Sequence, residues 1–370
     1  MERYRRCEML TQFSLYPIQR IARHISLGGI DDEHFDSSIL PKTTVEGATI
    51  EDVSAVIREG EFEFLRGHYP NKSIKELEAI KYAIIHRAAD FEDDGKGGFV
   101  LANELLKRSE NIVAEIAACL RLIRPTSQKT QICSGAITRD GAFSTRHLND
   151  PLTFVNSPQN QVLFTIRTSD IKELLDYAPL FRAAMHGPYW KFRMAVQLHE
   201  AGHFQNTEWK ARYFLWTSAL ESLFTSNPTS NRRQHSGSLV ASERIMEHLG
   251  ANTSIYPSGE LTSLQADPGI TVQDVIGDLY CLRNHIAHGD KVPDYYYEPT
   301  NRVGSWGALA RNDMLMEAIS FIVRRSILKI LRDGLLHHFQ DGPSSEAYFT
   351  AKGLTLRQLP QPLQYYCCKL

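Results

Sequence analysis

The chain has 370 residues, 42% of them hydrophobic and 23% charged, with a net charge of −2. That length supports two or three domains with a sizeable core, and the balance is ordinary for a globular protein. The near-neutral charge excludes a global field towards nucleic acid or membrane, so any site for a polyanion must be a local basic patch.

From Met1 to about Ala48 the pattern is irregular, with Gly28-Gly29 and Asp31-Asp32-Glu33 reading as turn and loop. The spacing predicts helices over 50–58 and 73–89, the latter on Ile74, Leu77, Ile80, Ile84 and Ile85. Residues 90–98 read as a surface turn. A strongly amphipathic helix follows over 101–123, with Leu105, Ile112, Ile116 and Leu120 on one stripe and Pro125 as its stop. The period then shortens, and 131–143, 152–155 and 162–167 read as strands broken by Gly, Asn and Pro. Ser169-Asp170-Ile171 opens another helix at an N-cap. Gly187-Pro188 marks a boundary, after which four main helices are expected at 190–203, 207–226, 271–288 and 313–339. A shorter one is expected at 238–249, inside a polar excursion over 227–269.

The expected class is α+β, mostly α. A mixed α/β domain over 1–186 precedes a helical bundle over 187–340 and a polar tail over 341–370. No segment approaches the roughly 18 uninterrupted apolar residues of a membrane span. Met1-Glu2-Arg3-Tyr4-Arg5-Arg6 leads into no apolar signal core. The six cysteines are scattered without a Cys-x-x-Cys pair. Cys367 sits fourth from the end, but Cys368 and Lys369 are not the aliphatics that prenylation needs. A reduced, cytoplasmic chain is expected.

Two motifs carry chemistry. The first is Leu282-Arg283-Asn284-His285-Ile286-Ala287-His288-Gly289, which closes the 271–288 helix. Asn284 and His288 are four apart and share a face, and the long Arg283 side chain reaches the same end. Gly289 and the later Pro293 should stop the helix at His288. A histidine there lies at the negative end of the helix dipole and can exchange protons near neutrality. An arginine beside it can hold a phosphate by two hydrogen bonds and stabilise charge developing in a transition state. Cations suit helix C-termini in any case, so the pattern alone is equally a structural cap.

The second motif is His199-Glu200-Ala201-Gly202-His203, the His-Glu-x-x-His spacing of a zinc helix. Its extended form fails, because Asn206 and Trp209 stand where a glycine and a third histidine belong. Glu221, eighteen residues past His203, is the remaining candidate third ligand. A zinc metallopeptidase using His199, His203 and Glu221 is therefore an alternative, as is a metal-free solvated or helix-capping pair.

Arg283-Asn284-x-x-x-His288 resembles the Arg-polar-x-x-x-His signature of the HEPN superfamily. Trp216-Thr217-Ser218-Ala219-Leu220-Glu221-Ser222-Leu223-Phe224 is similar to the Ala-Leu-Glu-x-Leu-Phe helix of its Apea-like branch. Tyr280-x-x-Arg283-Asn284-x-Ile286-Ala287-His288-Gly289 matches that branch as well. The resemblance covers 190–340 and leaves 1–186 unexplained. It implies a HEPN-like bundle that forms a homodimer, binds RNA and needs no metal or other cofactor. It implies cleavage through attack of the 2′-OH on its own phosphate, in an anti-phage defence or toxin role.

On this resemblance Arg283 and His288 are catalytic, Asn284 positions them, and Glu221 and His285 support them. Family members that only bind nucleotide or protein make a non-catalytic module the other reading. Arg324, Arg325 and Lys329, with Arg332, His337 and His338 beyond, are candidates for an RNA-binding ridge, or for a solvated helix face.

Overall fold

The computed structural model describes residues 11–20, 37–52, 80–88, 92–93, 99–100, 102–124, 133–137, 143–147, 167–203, 208–226, 237–255, 270–298 and 310–354. Helices dominate and one principal sheet accompanies them, so the chain is α+β and mostly α. It divides into two compact units. One holds 1–120, 126–158 and 165–179; the other holds 121–125, 159–164 and 180–370. None of the described helices is long and apolar enough to cross a membrane.

The first unit is built on a sheet ordered β2-β3-β4-β1-β7-β8, with a separate hairpin β5-β6. Its strands are β1 (Thr11–Arg20), β2 (Lys42–Thr43), β3 (Thr49–Asp52), β4 (Ile80–Ala88), β7 (Cys133–Ile137) and β8 (Phe143–His147); β5 is Glu92–Asp93 and β6 is Phe99–Val100. Every pairing is antiparallel. β1 lies at the centre, with Leu15 opposite both Ile85 of β4 and Cys133 of β7.

Three sequence expectations fail here. The irregular opening contains the central strand, and the described parts of the expected helices at 50–58 and 73–89, residues 50–52 and 80–88, lie in strands β3 and β4. The reason is visible in β4, where Tyr82, Ala83, Ile84 and Ile85 are all buried. A strand covered on both faces is a continuous apolar run, which periodicity cannot separate from a buried helix. The 101–123 expectation is met by α1 (Ala102–Ile123), whose stripe Leu105, Ile112, Ile116 and Leu120 is buried. Fully buried Ser109 ties α1 to β4 through His86 Nδ1 at 2.9 Å. The strands expected at 152–155 and 162–166 lie outside the described residues. α2 (Thr168–His186) starts one residue before the expected cap, with Asp170 accepting from the Arg167 N–H at 2.8 Å.

The second unit holds α3 (Trp190–Ala201), α4 (Trp209–Phe224), α5 (Gly237–Leu249), α6 (Val272–His288), α7 (Arg311–Arg332) and α8 (Gly342–Ala351). α3 and α4 meet where the Trp216 Nε1–H donates to His199 O at 3.0 Å. Gly202 leaves room for that indole, because a Cβ there would run into it. Tyr213 of α4 donates to Leu279 O of α6 at 2.9 Å. The α4 C-terminus is capped by two buried cations. Lys191 Nζ reaches Thr225 O at 2.6 Å and Arg244 Nη1 reaches Phe224 O at 3.0 Å, satisfying carbonyls that a helix end leaves unpaired. Burial lowers Lys191 to about 8.

Two boundaries differ from expectation. The fourth helix stops at Arg332, and Gly334 at φ 64° separates it from a short 3-10 turn at Leu336–Phe339. The stretch expected to be a polar tail contains α8, started by the Asp341 side chain accepting from Ser344 N–H at 2.8 Å and anchored by fully buried Phe349. A single aromatic pair within a polar stretch gave little periodicity to read. Cys281 is paired in a disulfide, against the expectation of reduced cysteines. Spacing along the chain does not report which thiols approach in space. Cys119 is a free buried thiol, pushed up by desolvation.

Candidate active site at the α6 terminus

α6 begins with a capping box, in which Thr271 N–H donates to Asp274 Oδ2 at 2.8 Å and Asp274 N–H returns to the Thr271 hydroxyl. Val272, Val275, Ile276, Leu279 and Leu282 form its buried stripe. It ends at His288. Gly289 takes the left-handed conformation, φ 70°, and the Asp290 N–H closes on His285 O at 3.0 Å.

The stripe turns Arg283 towards α4. Its Nη2 donates to Glu221 Oε2 at 2.9 Å, and both side chains are 22% exposed. Nη1 donates to Asn284 Oδ1 at 3.3 Å, and the guanidinium carbon lies 5.6 Å from the Phe214 ring centre. Burial pushes the Glu221 carboxyl up, and Arg283 pulls it back. Among the described residues the buried Tyr280 hydroxyl and Arg283 Nε have no hydrogen-bond partner. Burial, with the Glu221 charge adding to it, holds the Tyr280 phenol well above its usual range. His288 is exposed one turn beyond Asn284. His285 is half-buried, its ring 6.3 Å from that of Tyr296. On that flank Arg311 makes an ion pair with Asp278 and lies over the rings of Tyr295 and Tyr296.

Arg283, Asn284 and Glu221 therefore form one bonded group, with His288 at the helix end beside it. Phe214 lies seven residues before Glu221 on the same face of α4, a helical spacing that the sequence displays. The Asp278–Arg311 pair joins residues 33 apart and has no sequence signal.

Of the expected basic ridge, Arg324 turns inward. Arg324 is buried and donates to Leu122 O and Ile123 O at 3.2 and 3.3 Å, the carbonyls at the end of α1. Lys329 pairs with Asp333 at 2.8 Å, and Arg332 with the same carboxylate at 2.9 Å. Arg325 lies over Phe321. Arg325, Lys329 and Arg332 share a face by their i, i+4 and i+7 spacing, and Arg324 is turned away from it. His337 and His338 lie on the following turn with their rings tilted by 46°, centroids 3.7 Å apart.

At the other motif, His199 and His203 bring their Nε2 atoms to 3.4 Å against the Trp216 indole. His199 Nδ1 is 3.4 Å from Glu200 Oε1, near enough for an electrostatic contact but too poorly aimed for a hydrogen bond. Desolvation lowers both imidazoles, so the pair is neutral. Glu200 is gripped by the Arg121 guanidinium, with Nε at 3.1 and 3.0 Å from its two oxygens. That pairing outweighs burial and holds the carboxyl well below the usual range, which makes it a poor base. Glu221, the candidate third ligand, is bonded to Arg283. Among the described residues no group of three His, Cys, Asp or Glu is arranged to hold a metal.

Comparison with protein-family models, curated proteins and solved structures finds no match to this chain.

Proposed function

We propose that the chain is a metal-independent endoribonuclease of the HEPN type, acting as a homodimer on cellular RNA as a defence or toxin effector. The observation that supports this reading most is the Arg283–Glu221 ion pair. It joins the two segments, one on α4 and one on α6, that resemble the two family motifs. Arginine, asparagine and histidine follow one another along the last turns of α6, the pattern expected for a phosphate held beside a proton-transfer group.

In this reading His288 takes the proton of the RNA 2′-OH as that oxygen attacks the adjacent phosphorus. The new 2′-O–P bond forms and the P–O5′ bond breaks, leaving a 2′,3′-cyclic phosphate and, as the departing oxygen takes a proton from water, a 5′-OH. Arg283 stabilises the charge on the pentacovalent phosphate. Asn284, accepting from Arg283 Nη1, fixes the orientation of the fork. The engagement of Arg283 by Glu221 is also what favours the second reading, a non-catalytic HEPN module that binds nucleotide or protein.

Purified protein incubated with total RNA in EDTA is expected to produce 2′,3′-cyclic ends. Arg283→Ala and His288→Ala should each slow cutting by roughly 100-fold or more. Undiminished cleavage in those variants would remove the proposal, and intact RNA beside measurable nucleotide binding would favour the module.

A further inference from the structure

Five large hydrophobic side chains are exposed among the described residues, and three of them, Phe214, Tyr295 and Tyr297, flank the α6 terminus. They are 37%, 36% and 47% exposed. Half-buried Trp209 meets Tyr297 edge to face, with centroids 6.3 Å apart. Tyr295 packs at 4.3 Å on Tyr296, which in turn faces His285. Rings from α4 and from the short 3-10 turn at Asp294–Tyr297 thus border the helix end that carries Arg283, Asn284 and His288.

Each region of this collar also carries a cation. Arg283 lies over Phe214, Lys210 is 5.8 Å from the Trp209 ring centre, and Arg311 is 5.5 Å from that of Tyr295. Arg283 and Arg311 are neutralised by Glu221 and Asp278, and Lys291 by Asp294. A nucleic acid duplex hides its base faces and is held mainly by cations on its phosphates, so this surface suits it poorly. An unstacked base offers its π-faces to exposed rings of this kind, with cations beside them for the backbone.

From this geometry we infer that Tyr295 and Tyr297, with Trp209 against Tyr297, form a stacking platform for unpaired bases of single-stranded RNA at the end of α6 that carries Arg283 and His288. The inference rests on the ribonuclease reading for its ligand, and adds to it the state of the RNA and the residues that hold it.

The test uses the full chain carrying His288→Ala, so that binding is read without cutting. A fluorescent single-stranded RNA 12-mer is titrated in EDTA by anisotropy at several salt concentrations, against the same sequence as a duplex. Single strand should bind more tightly than duplex. Tyr297→Ala together with Tyr295→Ala should weaken single-strand binding about ten-fold or more. The corresponding Phe variants, which keep the rings, should bind like the parent.

Equal affinity in the Ala and Phe variants overturns the platform, as does tighter binding of duplex. If the Ala variants instead separate a dimer in sedimentation, the surface is a contact between copies and the inference also falls. Cleavage by the unmutated chain is assayed separately. Cutting without loss of binding in the Ala variants sinks the platform alone, whereas ring-dependent binding without cutting sinks the nuclease reading alone.

Discussion

Glu221 is the residue on which the α6 terminus depends. Its carboxylate gives the Arg283 guanidinium a fixed partner in a site only 22% exposed, and burial works against its charge. Glu221→Gln keeps the shape and removes the charge. Arg283 is then left part-buried with a neutral amide acceptor in place of the carboxylate, beside the Asn284 carbonyl and the Phe214 ring. A part-buried pair of this kind contributes about 1–2 kcal/mol, less than a fully buried one because water still screens it. The urea midpoint of Glu221→Gln should fall accordingly, with an unchanged slope. An unchanged midpoint would mean that the pair contributes nothing to holding α4 against α6.

At the level of elements, the close approach of α3 and α4 has a single narrow point. Gly202→Ala places a methyl where the Trp216 indole lies, so the indole must move and its hydrogen bond to His199 O is strained. Overpacking of this sort costs about 1–3 kcal/mol. A variant with the parental melting temperature would show that the indole has room to give.

The helical half was legible because its signals are local. Thr271 and Asp274 mark the start of α6, Gly289 marks its end, and the expected boundaries of α4, α5 and α6 fall within one or two residues of those found. The sheet was not legible, because β4 is buried on both faces and its central partner β1 is defined only by strands distant in the chain. At the site, the order Arg283, Asn284, His288 could be read directly. The contacts made by Glu221, Phe214 and Asp278 could not, since each depends on how two helices are rotated against each other. The same limit misplaced Arg324, whose charge in a basic run gave no sign that it turns inward to the carbonyls of Leu122 and Ile123.

The molecule as a whole should be vulnerable to mild acid. His199 and His248 are buried, His203 is half-buried, and desolvation lowers all three, His248 to about 4 against a usual value of 6.5. A histidine lowered in the folded state binds its proton more readily once unfolded. Between the two values the unfolded chain therefore carries more protons, and stability falls as the pH falls. His248 alone accounts for roughly 3 kcal/mol between pH 6.5 and 4, at about 1.4 kcal/mol per tenfold change. Glu200 acts in the same direction, because its lowered carboxyl supports the fold above the usual carboxylate range and that support is lost as the proton is added. Glu221, whose carboxyl burial pushes up, works the other way but is outnumbered by these groups, so thermal unfolding midpoints should be level from pH 7.5 to 6.5 and drop below that. His248→Gln removes the titration and can still donate towards Ser326 O, the contact His248 Nε2 makes at 3.2 Å. Its midpoint should be less sensitive to acid than the parent's, whatever its absolute stability at pH 7.5. Parallel profiles for the two proteins would show that His248 is not among the groups that set the acid limit.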